Sequence, residues 1–175
     1  QAKTLFPYTT LFRSWLKFQH GVFSKMPPAR LARLLSLPIV GRLVARKVLK
    51  GLGLDEVVYA GSGSAPLPPE LIRWYRRLGL RLYEGYGMTE DKSYSHASYG
   101  EFSEPGWVGM PHVGVEAKLS DTGEILVKSP GLLKEYYKNP AATAEVLTAE
   151  GWYHTGDAGF LDAGGHLKII DRAKD

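Results

Sequence analysis

The sequence predicts an α/β protein, a βαβ parallel-sheet portion followed by a smaller antiparallel β portion. Three observations carry this. Two short strand-like runs, DEVVYA (55–60) and LRLYEGY (80–86), flank a helical run, PELIRWYRRL (69–78). Strand, helix and strand of these lengths imply parallel strands and a right-handed crossover. Farther on, GVEAKL (114–119) and EILVKS (124–129) alternate around Asp121-Thr122-Gly123, which marks a hairpin.

Each element follows from its residues. In PARLARLLS (28–36), Leu31, Leu34 and Leu35 recur at helical spacing. PIVGRLVARKVLK (38–50) reads as a second helix, with proline tolerated in its first turn. Its apolar face is expected to be Ile39, Val40, Leu43, Val44 and Val48, with Arg42, Arg46, Lys47 and Lys50 opposite. Gly51 and Gly53 end it. GSGSAPLP (61–68) is expected as a loop, and the helix after it opens on Pro69 and stops at Gly79. Residues 85–106 are rich in Gly, Ser and Tyr and read as irregular. Asn139-Pro140 opens a short helix over 141–147, with Asn139 as N-cap and proline at the first helical position. GWYHTGDAGFLD is a strand-and-turn segment, and Ala163-Gly164-Gly165 turns into a last strand, 166–171.

At 175 residues, 44% apolar and 23% charged, the chain is long enough for one domain with a core. It contains no apolar run of membrane-spanning length. With no cysteine, disulfides, thiolate nucleophiles and cysteine metal sites are excluded, which suits a reducing, cytoplasmic compartment. The net charge of +4 is uneven: residues 1–53 carry +10 and residues 54–175 carry −6. The basic third is either a solvated helix face or a surface for anionic partners. It lacks aromatic residues interleaved with basic ones, so no nucleic acid is expected. The five histidines (20, 96, 112, 154 and 166) show no metal spacing, and no Gly-x-x-x-x-Gly-Lys-Ser/Thr loop is present. The segment TLFPYTTLFRS resembles translated sequencing-adapter sequence, so residues 1–14 are set aside as non-native.

Chemistry in a parallel sheet gathers at the carboxyl ends of strands. Two loops leave such ends here, Gly61 to Pro66 and Gly85 to Glu90. The first offers small side chains and accessible backbone, suited to close approach of a flat ring or a phosphate, or simply a βα turn. The second offers a phenol, a hydroxyl and a carboxylate. Thr89 and Glu90 suit a metal-bound phosphate, since Mg²⁺ takes one or two carboxylates plus substrate oxygens. Alternatively, Tyr86 fills core and Glu90 faces solvent. Asp157, in Tyr153-His154-Thr155-Gly156-Asp157, adds a carboxylate of the kind that accepts from ribose hydroxyls, or a plain turn former.

Five segments in order, GSGSAPLPPEL, LYEGYGMTE, GEILVKSPGLLKEYYKNP, GWYHTGD and DRAKD, strongly resemble the adenylate-forming (AMP-binding) synthetases. WLKFQHGVFSKMP and GLGLDEVVYAGSGSAPLP resemble the long-chain fatty acid–CoA ligases in particular. The resemblance covers residues 15–175 and implies an incomplete large domain: 15–104 its α/β portion, 105–171 its antiparallel portion, and 172–175 the start of a hinge. It implies ATP-dependent conversion of a long-chain fatty acid to acyl-adenylate and then acyl-CoA, with Mg²⁺ as cofactor and ATP, fatty acid and coenzyme A as partners. The alternatives are a medium-chain, aryl or amino acid as substrate, or a non-catalytic nucleotide-binding remnant.

Residue by residue, the resemblance assigns Gly63, Ser64, Ala65 and Pro66 to the loop beside the adenine and acyl channel. Gly85, Tyr86, Gly87 and Met88 are implied in nucleotide binding, with Tyr86 stacked on the adenine. Thr89 is implied on the nucleotide phosphate, Glu90 on Mg²⁺, Asp157 and Arg172 on the ribose, and Lys174 at the hinge. The family's phosphate loop and its small domain with a catalytic lysine are not among these segments, so the 175 residues alone are expected to be inactive. The basic helix 38–50 also suits peripheral contact with anionic lipid.

Overall fold

The computed structural model describes residues 9–63, 65–98 and 104–173. They form two compact units that divide between Tyr83 and Glu84.

The first unit opens with a helix not anticipated in the sequence, α1 (Thr9–Phe23). Trp15 anchors it: the Tyr75 hydroxyl donates to the Trp15 carbonyl at 2.8 Å, and the two rings meet edge to face at 5.2 Å. Then come α2 (Pro28–Leu35), α3 (Pro38–Leu52), β1 (Ala60–Gly63) and α4 (Pro69–Arg77). α4 shows why these residues choose a helix. Leu71, Ile72 and Tyr75 fall on one face and are buried, Pro69 starts the helix, Glu70 sits in its first turn and Arg76 and Arg77 in its last. Tyr75 is wholly buried, a contribution of about 1.5–3 kcal/mol for its apolar area. Leu78, Leu80 and Leu82 complete the core with Ala45 and Leu49 of α3. β1 neighbours the start of β2 (Leu82–Tyr86), with α4 between them in sequence, so the strand–helix–strand order stands.

Two expectations are corrected. The strand expected over 55–60 lies at Ala60–Gly63, and Val58 and Tyr59 are 83% and 81% exposed. β-Branched and aromatic residues pointed to the earlier run, but the core accepts only the small Ala60 and Ser62 side chains. The loop therefore starts after Gly63 rather than at Gly61. In α3 the buried stripe is Gly41, Ala45 and Leu49, not Ile39, Val40 and Leu43, which are exposed. Small residues win that face because α2 lies against it: a Cβ on Gly41 would sit 2.6 Å from the Leu35 carbonyl oxygen.

In the second unit, the end of β2 pairs antiparallel with β3 (His96–Ala97), which pairs with β4 (Met110–Pro111). Within the described part of the segment read as irregular, the 3₁₀ turn Thr89–Asp91 and the strand β3 are thus regular elements that were not expected. A second antiparallel sheet runs β5 (Glu116–Leu119), β6 (Glu124–Lys128), β7 (Tyr153–Leu161) and β8 (Leu167–Arg172) in sequence order. The hairpin is as read: Leu119 pairs with Ile125 and Glu116 with Lys128. Val115, Ile125, Val127 and Leu167 form its core. The short helix α5 (Pro140–Val146) is capped as expected, the Ala142 N–H donating to the Asn139 side chain at 3.2 Å.

Candidate functional site

The second unit gathers two clusters of polar side chains from distant parts of the sequence. The first joins β2, β7 and β8. Tyr86 ends β2, and its hydroxyl donates to Asp157 Oδ2 at 2.7 Å. Arg172 Nη1 donates to Asp157 Oδ1 at 2.6 Å. The β7–β8 register places Asp157 directly opposite Arg172, so the sheet itself makes this pair. Thr155 fixes β7 locally: its hydroxyl donates to the Ile125 carbonyl and accepts from the Asp157 N–H. Gly156, at φ +71°, lets the chain take a left-handed step beneath the Arg172 guanidinium, which stands 3.4 Å from where a Cβ would be. Burial, with the Asp157 carboxylate beside it, raises the Tyr86 phenol far above its ordinary range, so it remains a donor. Its ring packs on the second core. Tyr86 is therefore part core and part polar site, combining the two readings weighed for it.

Glu124 braces this cluster from β6. Its Oε1 accepts from the Gly156 N–H at 2.8 Å, and its Oε2 lies 2.9 Å from His154 Nδ1. His154 is thus tied to a carboxylate rather than packed in core. Glu124 could not be singled out from sequence, where it is one more residue of an alternating strand.

The second cluster surrounds Glu90. After β2 the chain makes a short 3₁₀ turn, Thr89–Asp91. Asp91 is completely buried and holds the turn, its Oδ1 accepting from the Met88 N–H at 2.8 Å. Burial raises the Asp91 carboxyl, opposed by backbone N–H groups of Met88, Tyr94 and Ser93. Lys92 and Ser93 then follow at φ 58° and 56°, a left-handed pair costing about 1–2 kcal/mol per residue. This strained exit returns the chain so that the Ser93 N–H donates to the Met88 carbonyl at 2.8 Å. Glu90 Oε1 accepts from the Tyr136 hydroxyl at 3.0 Å, and the Leu133 N–H donates to the Glu90 carbonyl at 2.7 Å. The Tyr136 and Tyr153 hydroxyls are 3.4 Å apart. Burial raises both phenols above their usual range, with Glu90 nearby adding to the effect. Tyr136 and Tyr153 lie in segments that carried the resemblance, yet nothing in their spacing marked Tyr136 as the partner of Glu90 or Tyr153 as the partner of Tyr136.

Among the described residues, no group of three or more His, Asp or Glu side chains could cage a metal ion. Glu90 beside the exposed Thr89 fits a different arrangement, a Mg²⁺ held by one carboxylate and mostly by substrate phosphates. Of the first loop, Gly63 ends β1 and Ala65 and Pro66 are exposed, all in the first unit. Gly85, Gly87 and Met88 share the second unit with Glu90. Ser64 and Lys174 lie outside the described residues.

Residues 4–137 match the family of AMP-binding enzymes. A putative fatty-acid–CoA ligase, fadD11, of Mycobacterium tuberculosis is 38% identical over 133 residues, covering 76% of this chain and 23% of that protein. Fatty acyl-CoA synthetase A of Dictyostelium discoideum is 36% identical over 179 residues, covering 92% and 26%. A malonyl-CoA ligase solved as a product complex with methylmalonyl-CoA and AMP has 31% identity and a TM-score of 0.63, over 83% of this chain and 32% of that one. The chain belongs to the AMP-binding enzyme family, and its architecture is a portion of the adenylate-forming α/β fold. It spans about a quarter of the length of the curated relatives it matches.

Proposed function

We propose that the protein carrying this chain activates a long-chain fatty acid with ATP and transfers the acyl group to coenzyme A. The Tyr86–Asp157–Arg172 constellation is the observation that carries this reading. Each oxygen of Asp157 takes one hydrogen bond within the chain, and a carboxylate oxygen has capacity for another. The two remaining acceptor positions suit the paired hydroxyls of a ribose, with Arg172 fixing the carboxylate from the solvent side. The adenine would lie against Tyr86, whose hydroxyl is tethered and whose ring cannot swing away.

The chemistry is two displacements. A carboxylate oxygen of the acid attacks the α-phosphorus, and pyrophosphate leaves with the bonding pair. The thiolate of coenzyme A then attacks the acyl carbon, and AMP leaves. Thr89 donates to a phosphate oxygen, where negative charge must be stabilised. Glu90 would hold Mg²⁺, oriented by the Tyr136 hydroxyl; the metal supplies charge neutralisation on the phosphates when bound.

The malonyl-CoA ligase likeness favours a second reading, the same two displacements on a different acid. ATP–pyrophosphate exchange by the full-length protein separates the two. Exchange is expected to be fastest with long-chain fatty acids; a preference for malonate-like, aryl or amino acids would reject the long-chain assignment. No exchange with any acid would favour a nucleotide-binding remnant.

The same proposal includes peripheral contact with an anionic membrane from the cytoplasmic side. No helix among the described residues is long and apolar enough to cross a membrane. α3, however, exposes Ile39 and Leu43 beside its cations, at 77% and 66%. Full-length protein should sediment with anionic vesicles, and Ile39→Ser with Leu43→Ser should reduce this severalfold. Unchanged sedimentation would remove the membrane contact.

A further inference from the structure

The first unit contains a cavity of about 560 Å³ between α3, the end of α4 and the end of α2. Its charge is one-sided. Arg42 and Arg46, one turn apart on α3, line it together with Arg76 and Arg77 from the last turn of α4; Asp55 is the one carboxylate in the lining. The floor is apolar, from Leu35, Ala45, Leu49 and Leu78.

Favourable interaction with the carboxyl end of α4 accounts for Arg76 and Arg77 being on that helix. It does not account for a second arginine pair on another helix lining the same space. The guanidinium groups of two helices concentrate positive charge on one space, which favours an anion there. The two walls are also held rigidly. Gly41 presses α3 against the Leu35 carbonyl, and Leu78 of the α4 terminus shares a core with Ala45 and Leu49. Among the described residues, the ion pairs that form use Arg73, His154, His166 and Arg172, not Arg42, Arg46 or Arg77.

We infer that this cavity binds a phosphate-bearing anion, with the guanidinium groups on the phosphate and the carbon portion on the leucine floor. Guanidinium forks match phosphate oxygens in pairs, and the space opens to solvent, where a phosphate can enter. The same chemistry is offered by a free phosphorylated metabolite and by a phospholipid headgroup. This inference does not depend on the acyl-activation reading.

The test uses the full-length protein in two arms: calorimetric titration with inorganic phosphate and glycerol phosphate, and flotation with phosphatidylcholine vesicles with or without phosphatidic acid. Binding should be saturable in at least one arm. Response to the soluble phosphates identifies a metabolite site, and response confined to phosphatidic acid identifies a headgroup site. Arg42→Gln with Arg46→Gln, and separately Arg76→Gln with Arg77→Gln, should each weaken it at least about tenfold. Arg30→Gln with Arg33→Gln removes the same charge from the exposed face of α2 outside the cavity, and should change binding by less than about twofold. No saturable binding in either arm, or an equal loss in the Arg30/Arg33 variant, would overturn the inference.

Discussion

Gly87→Ala is expected to lower the adenylation rate of the full-length protein about a hundredfold. The new Cβ would stand 2.6 Å from Ser93 Cα and 2.7 Å from its carbonyl carbon, distances that side chains do not tolerate. The obstacle is backbone, so no rotamer change relieves it. The segment that must yield is already strained, since Lys92 and Ser93 sit at positive φ. Moving it disturbs the Ser93 N–H bond to the Met88 carbonyl and the Asp91 bond to the Met88 N–H. Thr89 and Glu90 lie within that anchored turn, so their displacement reaches the proposed phosphate and metal positions directly. A misplacement of about 1 Å near reacting atoms costs about 10²-fold. Gly131→Ala is the comparison. Its Cβ would meet the Asp91 carbonyl oxygen at 3.4 Å, ordinary contact against the same turn, and its rate should stay within about threefold of the parent. A Gly87→Ala protein with parental exchange rates would refute the placement of Thr89 and Glu90 at the reacting phosphates.

That glycine shows where sequence reasoning stops. EGYGMTE is legible as a loop after a strand because Gly and Thr-Glu interrupt an apolar alternation. Nothing in it reveals that residue 87 faces residue 93, because the return depends on two non-glycine residues in left-handed backbone. The same division runs through the fold. α4 and the β5–β6 hairpin were readable because period and punctuation agree: Leu71, Ile72 and Tyr75 at helical spacing between Pro69 and Gly79, and alternation on either side of Asp121-Thr122-Gly123. α3 was readable as a helix but not as to its buried face. Hydrophobicity ranks Ile39 and Leu43 above Gly41 and Ala45, whereas close approach of α2 selects the small residues. β1 slipped for a related reason, with β-propensity in Val57, Val58 and Tyr59 outweighing the small residues that the core admits. In the site, Tyr86, Glu90, Asp157 and Arg172 were identified through resemblance. The neighbouring Tyr136, Tyr153 and Glu124 depend on contacts across 17 to 46 residues, which no local pattern encodes.

Asp157→Ala should reduce kcat/KM for ATP about a hundredfold or more in the full-length protein, mainly through KM. Two effects combine. The substitution removes the proposed ribose acceptor, and hydrogen bonds to a charged group are worth about 1.5–3 kcal/mol each. It also removes the acceptor that Tyr86 and Arg172 Nη1 both use, leaving the Tyr86 hydroxyl to find another partner in a half-buried setting. The Asp157–Arg172 pair contributes little to stability by itself: Arg172 is 61% exposed, and solvent screens the attraction. The unfolding midpoint should therefore move by only a few degrees, which separates loss of binding from loss of fold. Tyr86→Phe isolates the tether, because it keeps the ring and deletes only the donor. Its own cost should be about tenfold. Combined with Asp157→Ala, it should add much less than that, because the tether is already gone. Additive losses would mean that Tyr86 and Asp157 act independently. Asp157→Ala with an ATP KM within about threefold of the parent would refute the ribose assignment, leaving the Tyr86–Asp157–Arg172 cluster as a strut between β2 and the β7–β8 pair.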